Sequence, residues 1–441
     1  MATENIPENN QPKSNEGITH RKIILVGAGM AGLAAARYLA DHGMNDFLVL
    51  EGRNRIGGRI YTEISDGMPI DLGASWIHGP DGGNPITDVA RDAGAEMFAT
   101  DDENVIVYDQ SGKPISEKLL NEKYDAFDDL LERADDVAAV NKSLQSAILE
   151  IAPDALSDPL MQYQLNAFIE FDTGGDADKL CSLLWESDEE FPGKDVFISN
   201  GYHLIPEYLA EGIPVYLDHT VRSVDYREDI IYLETNQGIF SAERVLLTLP
   251  LGVLKSAAVQ FIPELPAPKQ LSLQRLARGH VNKVILVFPE AFWDINQQYI
   301  GYTGGKKGQY PYFMNFRKFS EWNALMTFAI GEFAREMEEQ PDEDIQADIM
   351  ASLRKIYDEA ALAPKKIFIS RWTADPFTMG AYTYVPVGAT HNDFYEIAKP
   401  LYQQLFFAGE HTTAEYRGTV HGAYISGIRE AENILQSLLA T

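Results

Sequence analysis

The sequence is poor in cysteine, since its 441 residues include only one, Cys181. No intrachain disulfide can form, and a zinc site built from several cysteines is excluded. We expect no metal site of any other kind. A chain that does not rely on disulfides is typical of a reducing compartment, so we expect a cytoplasmic location.

Positive charge and long apolar runs are also scarce. The chain has 36 Lys and Arg against 66 Asp and Glu, a formal net charge of −30. This charge repels nucleic acid and favours encounters with cations, although acidity can also serve solubility alone. No apolar run is long enough to span a membrane. Segment 1–20 is polar and lacks the apolar region of a signal peptide, which predicts a disordered tail. We therefore expect neither a nucleic-acid partner nor a membrane partner.

A glycine-rich turn between a strand and a helix stands near the N-terminus. The apolar run from Ile23 to Val26 leads into Gly27, Gly29 and Gly32, which form a GxGxxG motif followed by an alanine- and leucine-rich helix. The first glycine allows a tight turn, the second lets a pyrophosphate approach the backbone, and the third lets the helix pack on the strand. The helix N-terminus then offers free N–H groups to phosphates. The motif predicts a Rossmann-like α/β domain that binds a dinucleotide.

The residues after the second strand indicate which dinucleotide. That strand, 47–50, ends at Glu51, which is expected to accept hydrogen bonds from an adenosine ribose. Arg53, Gly58 and Arg59 follow directly, and a simple nicotinamide domain does not need them. A larger and more deeply buried cofactor does need them, because more backbone and charge must reach its phosphates. This pattern predicts FAD.

Several motifs together resemble the flavin amine oxidases. GAGMAGL, Glu51 and RIGGR are similar to the FAD-binding opening of that family. GASWIHG at 73–79, and GEHT followed by TVHGAYISG within 409–427, are similar to segments of its polyamine oxidases. The resemblance extends from residue 21 to the end. It implies a FAD-binding domain of the glutathione-reductase and amine-oxidase type, interleaved with a substrate domain of mixed sheet and helices. The implied FAD-binding segments are 21–97, 190–269 and 383–441, and the substrate segments are 98–189 and 270–382.

The resemblance also implies how FAD is held. Monoamine oxidases carry a cysteine in the loop that corresponds to 411–418 and attach FAD covalently, whereas this loop contains none. We therefore expect non-covalent FAD. Besides the residues named above, those implied to bind the cofactor are Gly73, Ala74, Ser75, Trp76, Val221, Trp372, Gly409, Glu410, Thr419 and Val420.

Three side chains are candidates for contact with the substrate. His78 lies in an apolar, glycine-rich loop and is either structural or, as the resemblance implies, placed beside the flavin. Glu170 ends a helix among apolar neighbours and is either an ordinary helix-end carboxylate or the acceptor of a substrate ammonium. The resemblance implies that Tyr382 forms one wall of the substrate cavity. Thr419 stands where many family members place an opposing aromatic residue, so we expect a looser fit there.

A lysine interrupts the apolar strand GHVNKVILVF at 279–288. Alternation places Val281, Lys283 and Ile285 on one face and Val284 and Leu286 on the other, so both faces are apolar. This pattern is typical of a strand buried on two sides. Because an unpaired buried ammonium is costly, either the strand is at an edge or Lys283 faces a polar cavity. The resemblance implies the cavity, with Lys283 bound to a water that contacts flavin N5.

Together these features predict an FAD-dependent polyamine oxidase. A hydride equivalent passes from the carbon next to an uncharged amine nitrogen to flavin N5, and the imine is hydrolysed to an aldehyde and an amine. O2 then reoxidises the flavin and gives H2O2. The expected partners are O2 and a small cationic amine of the spermidine and spermine class. The sequence gives no indication of the oligomeric state.

Other function classes remain open at this point. They are another flavin amine or amino-acid oxidase, an FAD-dependent dehydrogenase or desaturase, a protein-directed demethylase, and a non-catalytic FAD-binding sensor. An amino-acid oxidase needs an arginine for the substrate carboxylate, and the sequence offers no clear candidate.

Overall fold

The structure is a computed structural model that describes residues 18–439. The predicted tail, 1–20, lies outside the described residues as far as position 17. Residues 19 and 20 belong to a strand and not to a tail, because they pair with Phe240 and Ser241 of a neighbouring strand. The imidazole Nδ1 of His20 lies 3.0 Å from the Ser241 hydroxyl.

Runs of strands and runs of helices follow one another along this part of the chain. In chain order, strands β1 to β21 are Thr19–Val26, Phe47–Leu50, Thr62–Ser65, Met68–Asp71, Trp76–Ile77, Met97–Ala99, Val105–Tyr108, Val196–Ile198, Val215–Tyr216, Val221–Asp225, Ile231–Thr235, Gly238–Leu247, Gln260–Ile262, Ala277–Arg278, Val281–Val287, Tyr299–Tyr302, Gln309–Asn315, Ala324–Ile330, Lys366–Ile369, Thr383–Tyr384 and Leu405–Phe407. Helices α1 to α13 are Met30–Asp41, Pro85–Asp92, Glu117–Asp135, Leu144–Ile151, Pro159–Gln164, Phe171–Thr173, Leu204–Ala210, Leu251–Lys255, Ala267–Arg275, Gly331–Met337, Asp342–Tyr357, His391–Ala398 and Val420–Leu439. A π-helical segment, Leu165–Glu170, joins α5 to α6. Short 3₁₀ turns lie at Ala155–Ser157, Phe316–Lys318, Asp358–Ala360 and Glu410–Thr412.

The largest sheet has eight strands and a parallel centre. β1 pairs in parallel with β2 and β12, β2 with β9, and β12 with β21. β11 pairs with the first half of β12 in antiparallel fashion, and β10 and β13 extend the sheet on that side. Parallel strands joined through helices are typical of nucleotide-binding α/β folds. The predicted α/β class is confirmed.

The second large sheet has six strands in the order β19-β15-β18-β17-β16-β7. All of its pairings are antiparallel except that between β16 and β7. Its strands come from 105–108 and from 281–369, whereas the eight-stranded sheet takes its strands from 19–50, 215–262 and 405–407. The chain therefore passes back and forth between two lobes, which we name the eight-stranded lobe and the six-stranded lobe.

Both sheets are covered on two faces. In β1, Ile23 and Leu25 belong to one apolar cluster, while Ile24 and Val26 belong to another on the opposite face. In β15, Val284 and Leu286 pack into one cluster and Ile285 into a second. Continuous apolar runs are expected where both faces of a strand are buried. The predicted two-sided burial of β15 is confirmed.

The last helix packs closely against the first. An ideal Cβ at Gly427 of α13 would lie 2.2 Å from the carbonyl oxygen of Ala31 in α1, so only a glycine permits this approach. None of the helices between residues 18 and 439 combines the length and apolarity needed to cross a membrane. In the same part of the chain, no group of three or more His, Cys, Asp or Glu is arranged to hold a metal ion.

Candidate active site

One large cavity, of about 1020 Å³, lies between the two lobes. Gly29 of the glycine-rich turn and Lys283 of β15 both line it, so it runs from the nucleotide motif to the six-stranded sheet. Of the predicted site residues, those on its wall are Gly27, Gly29, Glu51, Arg53, Gly58, Arg59, Gly73, Ala74, Ser75, Trp76, His78, Val221, Lys283, Trp372, Tyr382, Gly409, Glu410, Thr419 and Val420. The two predicted residues that do not line the cavity are Gly32 and Glu170.

The glycine-rich turn leaves room for a ligand and for helix packing. A Cβ at Gly29 would meet only the Cα of Gly58, at 4.0 Å, so this side of the turn is open to the cavity. A Cβ at Gly32 would lie 1.9 Å from the carbonyl oxygen of Gly27, which is why Gly32 belongs to the contact between helix and turn. Helix α1 has no side-chain cap and no acidic residue in its first turn. Its free N–H groups and positive dipole end therefore remain available to an anion.

Glu51 and Arg53 stand at the end of β2. The buried Glu51 carboxylate accepts hydrogen bonds from the backbone N–H groups of Ala28, at 2.7 Å, and Arg53, at 2.9 Å. Burial raises the pKa of Glu51, and these two hydrogen bonds partly oppose that rise. The Arg53 guanidinium is paired with Asp375 through two bonds of 2.7 and 2.8 Å and lies over the ring of Phe377. Arg53 therefore shapes the wall without presenting a free charge.

Arg59 and Glu410 connect three separate chain segments. Arg59 donates to the Ala381 carbonyl at 2.6 Å and to Glu410 at 2.8 Å. Glu410 also accepts from Thr383 and from the N–H of Gly418. Burial alone would raise the pKa of Glu410, but Arg59, His411 and the hydrogen bond from Thr383 together lower it. An ionised Glu410 thus fixes the loop before α13.

Trp372 and Tyr382 form an aromatic part of the wall. The Trp372 indole donates to the Leu72 carbonyl at 3.0 Å, and the Tyr382 hydroxyl donates to the Phe171 carbonyl. At Thr419 the sequence predicts a looser fit of the substrate. The Thr419 hydroxyl accepts a hydrogen bond from the N–H of Gly422 at 2.9 Å. Its hydroxyl therefore stabilises the first turn of α13 and adds no aromatic surface.

Lys283 lies in the interior of the six-stranded sheet, since β15 has β18 on one side and β19 on the other. Of the two alternatives for Lys283, the edge strand is therefore excluded, and Lys283 lines the cavity. Its ammonium donates to the Gly73 carbonyl, to the Ser75 hydroxyl and, at 3.3 Å, to the Asp71 carbonyl. Burial lowers the pKa of Lys283 to about 8, although the negative charge of Asp71 opposes this change. Lys283 thus joins β15 to the loop that precedes Trp76, which also lines the cavity.

His78 is paired with a carboxylate that is distant in sequence. Its Nδ1 lies 2.5 Å from Asp195 Oδ2, and the other Asp195 oxygen accepts from the N–H of Gly79 at 3.1 Å. Burial alone would lower the pKa of His78, but the hydrogen bond and charge of Asp195, with Asp172 and Glu190, raise it. His78 therefore carries positive charge over a wider pH range than a free imidazole.

The expectation that Glu170 receives a substrate ammonium in the cavity is wrong. Glu170 is buried away from the wall, where it accepts from the N–H of Ala177 at 2.7 Å and pairs with the Lys307 ammonium at 3.0 Å. Helical residues two apart point to different sides, so Asp172 faces the cavity instead. The carboxylate that this helix end brings to the cavity wall is therefore that of Asp172.

Sequence reasoning also missed Asp71, Asp172 and Asp195. Asp172 and Asp195 line the cavity, and Asp71 lies next to Lys283. Burial raises the pKa of Asp71 to about 6, although hydrogen bonds from Thr62 and Tyr202 oppose it. The only sequence signal for Asp172 was its position two residues after Glu170. No local pattern could connect Asp195 to His78.

Comparison with known proteins identifies the family. Residues 30–435 match the family described as flavin containing amine oxidoreductase. The chain belongs to this family. It is 32% identical to polyamine oxidase 2 of Arabidopsis thaliana over an alignment of 438 residues. This alignment covers 95% of this chain and 88% of that protein. A solved structure titled as putrescine oxidase bound to putrescine has a TM-score of 0.79 and 22% identity, covering 95% of this chain and 100% of the other.

Other relatives carry different names. The chain is 33% identical over 447 residues to lysine-specific histone demethylase 1 homolog 3 of Oryza sativa subsp. japonica, which covers 95% of this chain but 54% of that protein. The chain therefore spans about half the length of this relative. Both kinds of relative support the same fold and the same class of chemistry.

The cofactor of this flavin amine oxidoreductase is FAD, and the cavity fits it. The open face of Gly29, the uncapped N-terminus of α1 and the carboxylate of Glu51 lie on one continuous wall with Trp372 and Lys283. Cys181 is buried off this wall and directs its thiol at the carbonyls of Ala139 and Val140. No cysteine can therefore attach the flavin covalently.

The second and third glycines of the motif should have separable effects. Gly29 should affect FAD binding, and Gly32 should affect the stability of the apoprotein. In Gly29→Ala, the methyl group enters the space reserved for the pyrophosphate, so we expect FAD affinity to fall about tenfold or more while the apoprotein keeps its melting temperature. In Gly32→Ala, the clash with Gly27 should outweigh the better helix propensity and destabilise the apoprotein by about 1–3 kcal/mol. Flavin absorbance and thermal melts of the apoproteins measure both effects. A Gly29→Ala variant that binds FAD normally would contradict the assignment.

Replacing Lys283 should impair turnover without loss of the cofactor. We expect Lys283→Met to retain a flavin absorption spectrum and to slow flavin reduction or reoxidation by about a hundredfold. Lys269→Met is the matched control, because Lys269 is also a buried lysine, but it donates to the carbonyls of Glu396, Ile397 and Lys399, away from the cavity. The control should lower the melting temperature and leave both rates unchanged. Stopped-flow absorbance gives the rates, and wild-type rates in Lys283→Met would remove this residue from the mechanism.

Proposed function

We propose that this chain oxidises polyamines of the spermidine and spermine class at a C–N bond and uses O2 as the electron acceptor. The observation that carries the proposal is an excess of unpaired carboxylates on the wall of the cavity. When bound, FAD accepts two electrons and a proton from a C–H bond next to an amine nitrogen and passes them to O2, giving H2O2. Hydrolysis of the resulting imine then releases an aldehyde and an amine.

The charges on the wall favour a cationic ligand. Apart from Lys283, each lysine or arginine on the wall already has a carboxylate partner, the pairs being Arg53–Asp375, Arg59–Glu410, Lys194–Asp101 and Arg417–Asp188. By contrast, Asp102, Asp172, Glu189 and Glu190 have no lysine or arginine partner among residues 18–439. The net charge of −30 adds a long-range attraction for cations. The same balance argues against an amino-acid oxidase, which needs a free cation for the substrate carboxylate.

An aromatic part of the wall fits the methylene chain of a polyamine. Phe171, Tyr312 and Phe328 all line the cavity, and Phe171 lies 4.6 Å from Phe328 and 5.7 Å from Tyr312 between ring centroids. These rings supply apolar surface and exclude water, and their edges restrict how a flexible chain can lie. Together with Tyr382, they orient the carbon next to the reacting nitrogen.

Demethylation of a methylated lysine is a second candidate, because it uses the same oxidation of a carbon next to nitrogen. Thr419 favours it, since a small side chain stands where the resemblance places an aromatic residue, and this leaves more room for a branched amine. The similarity to histone demethylase homologues also supports it, although the chain spans about half of that relative.

A substrate panel distinguishes the two reactions. The purified holoenzyme is supplied in air with putrescine, spermidine, spermine, their N-acetyl derivatives and a dimethyl-lysine peptide. We expect H2O2 and an aminoaldehyde from at least one free or acetylated polyamine, with products identified by mass spectrometry. Formaldehyde from the peptide alone would favour the demethylase, and no turnover with any amine would contradict both.

Activity should rise with pH. The reacting amine must be uncharged, and an alkylamine with a pKa near about 10 gains neutral form up to about tenfold for each pH unit below that value. Lys283, with a pKa of about 8, also loses its proton within this range and removes a positive charge from the cavity. We therefore expect kcat/KM for the preferred polyamine to increase from pH 7 to pH 9. A flat profile over this range would contradict reaction through the neutral amine.

A further inference from the structure

The carboxylate of Asp172 faces the cavity and lacks a partner. Within residues 18–439, nothing donates a hydrogen bond to it, and no lysine or arginine pairs with it. Its side chain is exposed to the cavity and lies among other acidic groups. The ionisable groups that face it are His78, Asp102, Asp188, Asp195, Tyr312 and Tyr382.

The backbone presents Asp172 at a defined place beside the aromatic wall. The Tyr382 hydroxyl donates to the carbonyl of Phe171, the residue immediately before Asp172. On the other side, the Thr173 hydroxyl donates to the Ile169 carbonyl at 2.7 Å. Hydrogen bonds thus hold the residues on both sides of Asp172. Asp172 lies on the same wall as the rings proposed to hold the methylene chain.

The charges around Asp172 do not compensate its own. His78 is the only group among the six that can be positive, and Asp195 already pairs with it at 2.5 Å. Burial raises the pKa of Asp172 to about 7; His78 opposes the rise, while Asp195, Asp102 and Asp188 add to it. A cation bound at this point would stabilise the ionised carboxylate and replace its missing hydration.

We propose that Asp172 is a specificity-determining residue, which binds a second, charged nitrogen of the substrate while another nitrogen is oxidised. This inference rests on the proposed oxidation of amines. The ligand it selects is a dication or polycation whose charges are separated by a methylene chain. An amine with a single nitrogen leaves Asp172 without a partner and should be a poor substrate.

A matched pair of amines tests this role. 1,8-Diaminooctane and octylamine have the same chain length and differ by one charged nitrogen. In the wild type, we expect kcat/KM to favour the diamine by about 10- to 100-fold, the range of a charge-assisted hydrogen bond. In Asp172→Asn this preference should fall about tenfold or more, through a higher KM for the diamine with kcat changed less than about threefold.

Glu186→Gln is the matched control. Glu186 is an exposed carboxylate on the rim of the same cavity that also lacks a hydrogen bond, so the substitution removes the same charge at a different place. It should change the preference less than about threefold, as expected for a solvent-screened charge. Equal effects of the two substitutions would mean that only the overall charge matters and would overturn the proposal. Flavin content and melting temperature of Asp172→Asn, with Asp172→Ser as a second variant, show whether the fold is intact.

A ligand with fixed charge separates the titration of the protein from that of the amine. 1,6-Bis(trimethylammonium)hexane and hexyltrimethylammonium keep their charge at every pH, and their binding to the oxidised holoenzyme is measured through the change in flavin absorbance. Because Asp172 binds a cation only when ionised, affinity for the dication should rise from pH 6 to pH 8 in the wild type. The rise should shrink in Asp172→Asn, where His78 and Lys283 still titrate.

The two measurements separate this inference from the proposed function. If the wild type oxidises polyamines but Asp172→Asn keeps both the diamine preference and the pH-dependent binding, the role of Asp172 is wrong and the proposed function stands. If no amine is oxidised, the proposed function fails, while the absorbance titration still decides whether Asp172 binds a cation.

Discussion

The buried ammonium of Lys283 is the interaction on which the active site depends. It lies in the middle of a central strand, where a charge without partners would be strongly unfavourable. The carbonyls of Asp71 and Gly73 and the hydroxyl of Ser75 accept its three protons. These acceptors lie on residues 71–75, which connect two small sheets, so the side chain of Lys283 fixes this loop against the six-stranded sheet. Gly73, Ser75 and Lys283 all line the cavity, so the same interaction shapes its wall.

The two ends of the same cavity differ in charge. At the nucleotide end, arginines are present but are neutralised by Asp375 and Glu410, which leaves the backbone N–H groups of α1 to bind phosphate. At the other end, carboxylates outnumber cations, and the pair of His78 and Asp195 leaves Asp172 uncompensated. One cavity therefore suits an anionic cofactor at one end and, under the proposed function, a cationic substrate at the other.

The sequence was most informative where local geometry limits the choice of residue. The strand, glycine turn and helix of residues 23–41 were predictable because each glycine has its own steric reason. The two-sided burial of β15 followed from an apolar run on both faces. Predictions failed where the direction of a side chain depends on distant segments. A π-helical turn and Lys307 direct Glu170 away from the cavity, and the pairing of His78 with Asp195 links residues with no shared local pattern.

The position of Lys283 has a consequence for how small molecules enter and leave. Its bonds to residues 71–75, together with that from the Trp372 indole to the Leu72 carbonyl, hold this loop in place beside the cavity. A movement of this loop away from β15 would leave a buried ammonium without acceptors, which is energetically unfavourable. By contrast, residues 188–190 line the cavity, are exposed and are all acidic. Under the proposed function, this acidic rim is the part of the wall that a cationic amine would meet first.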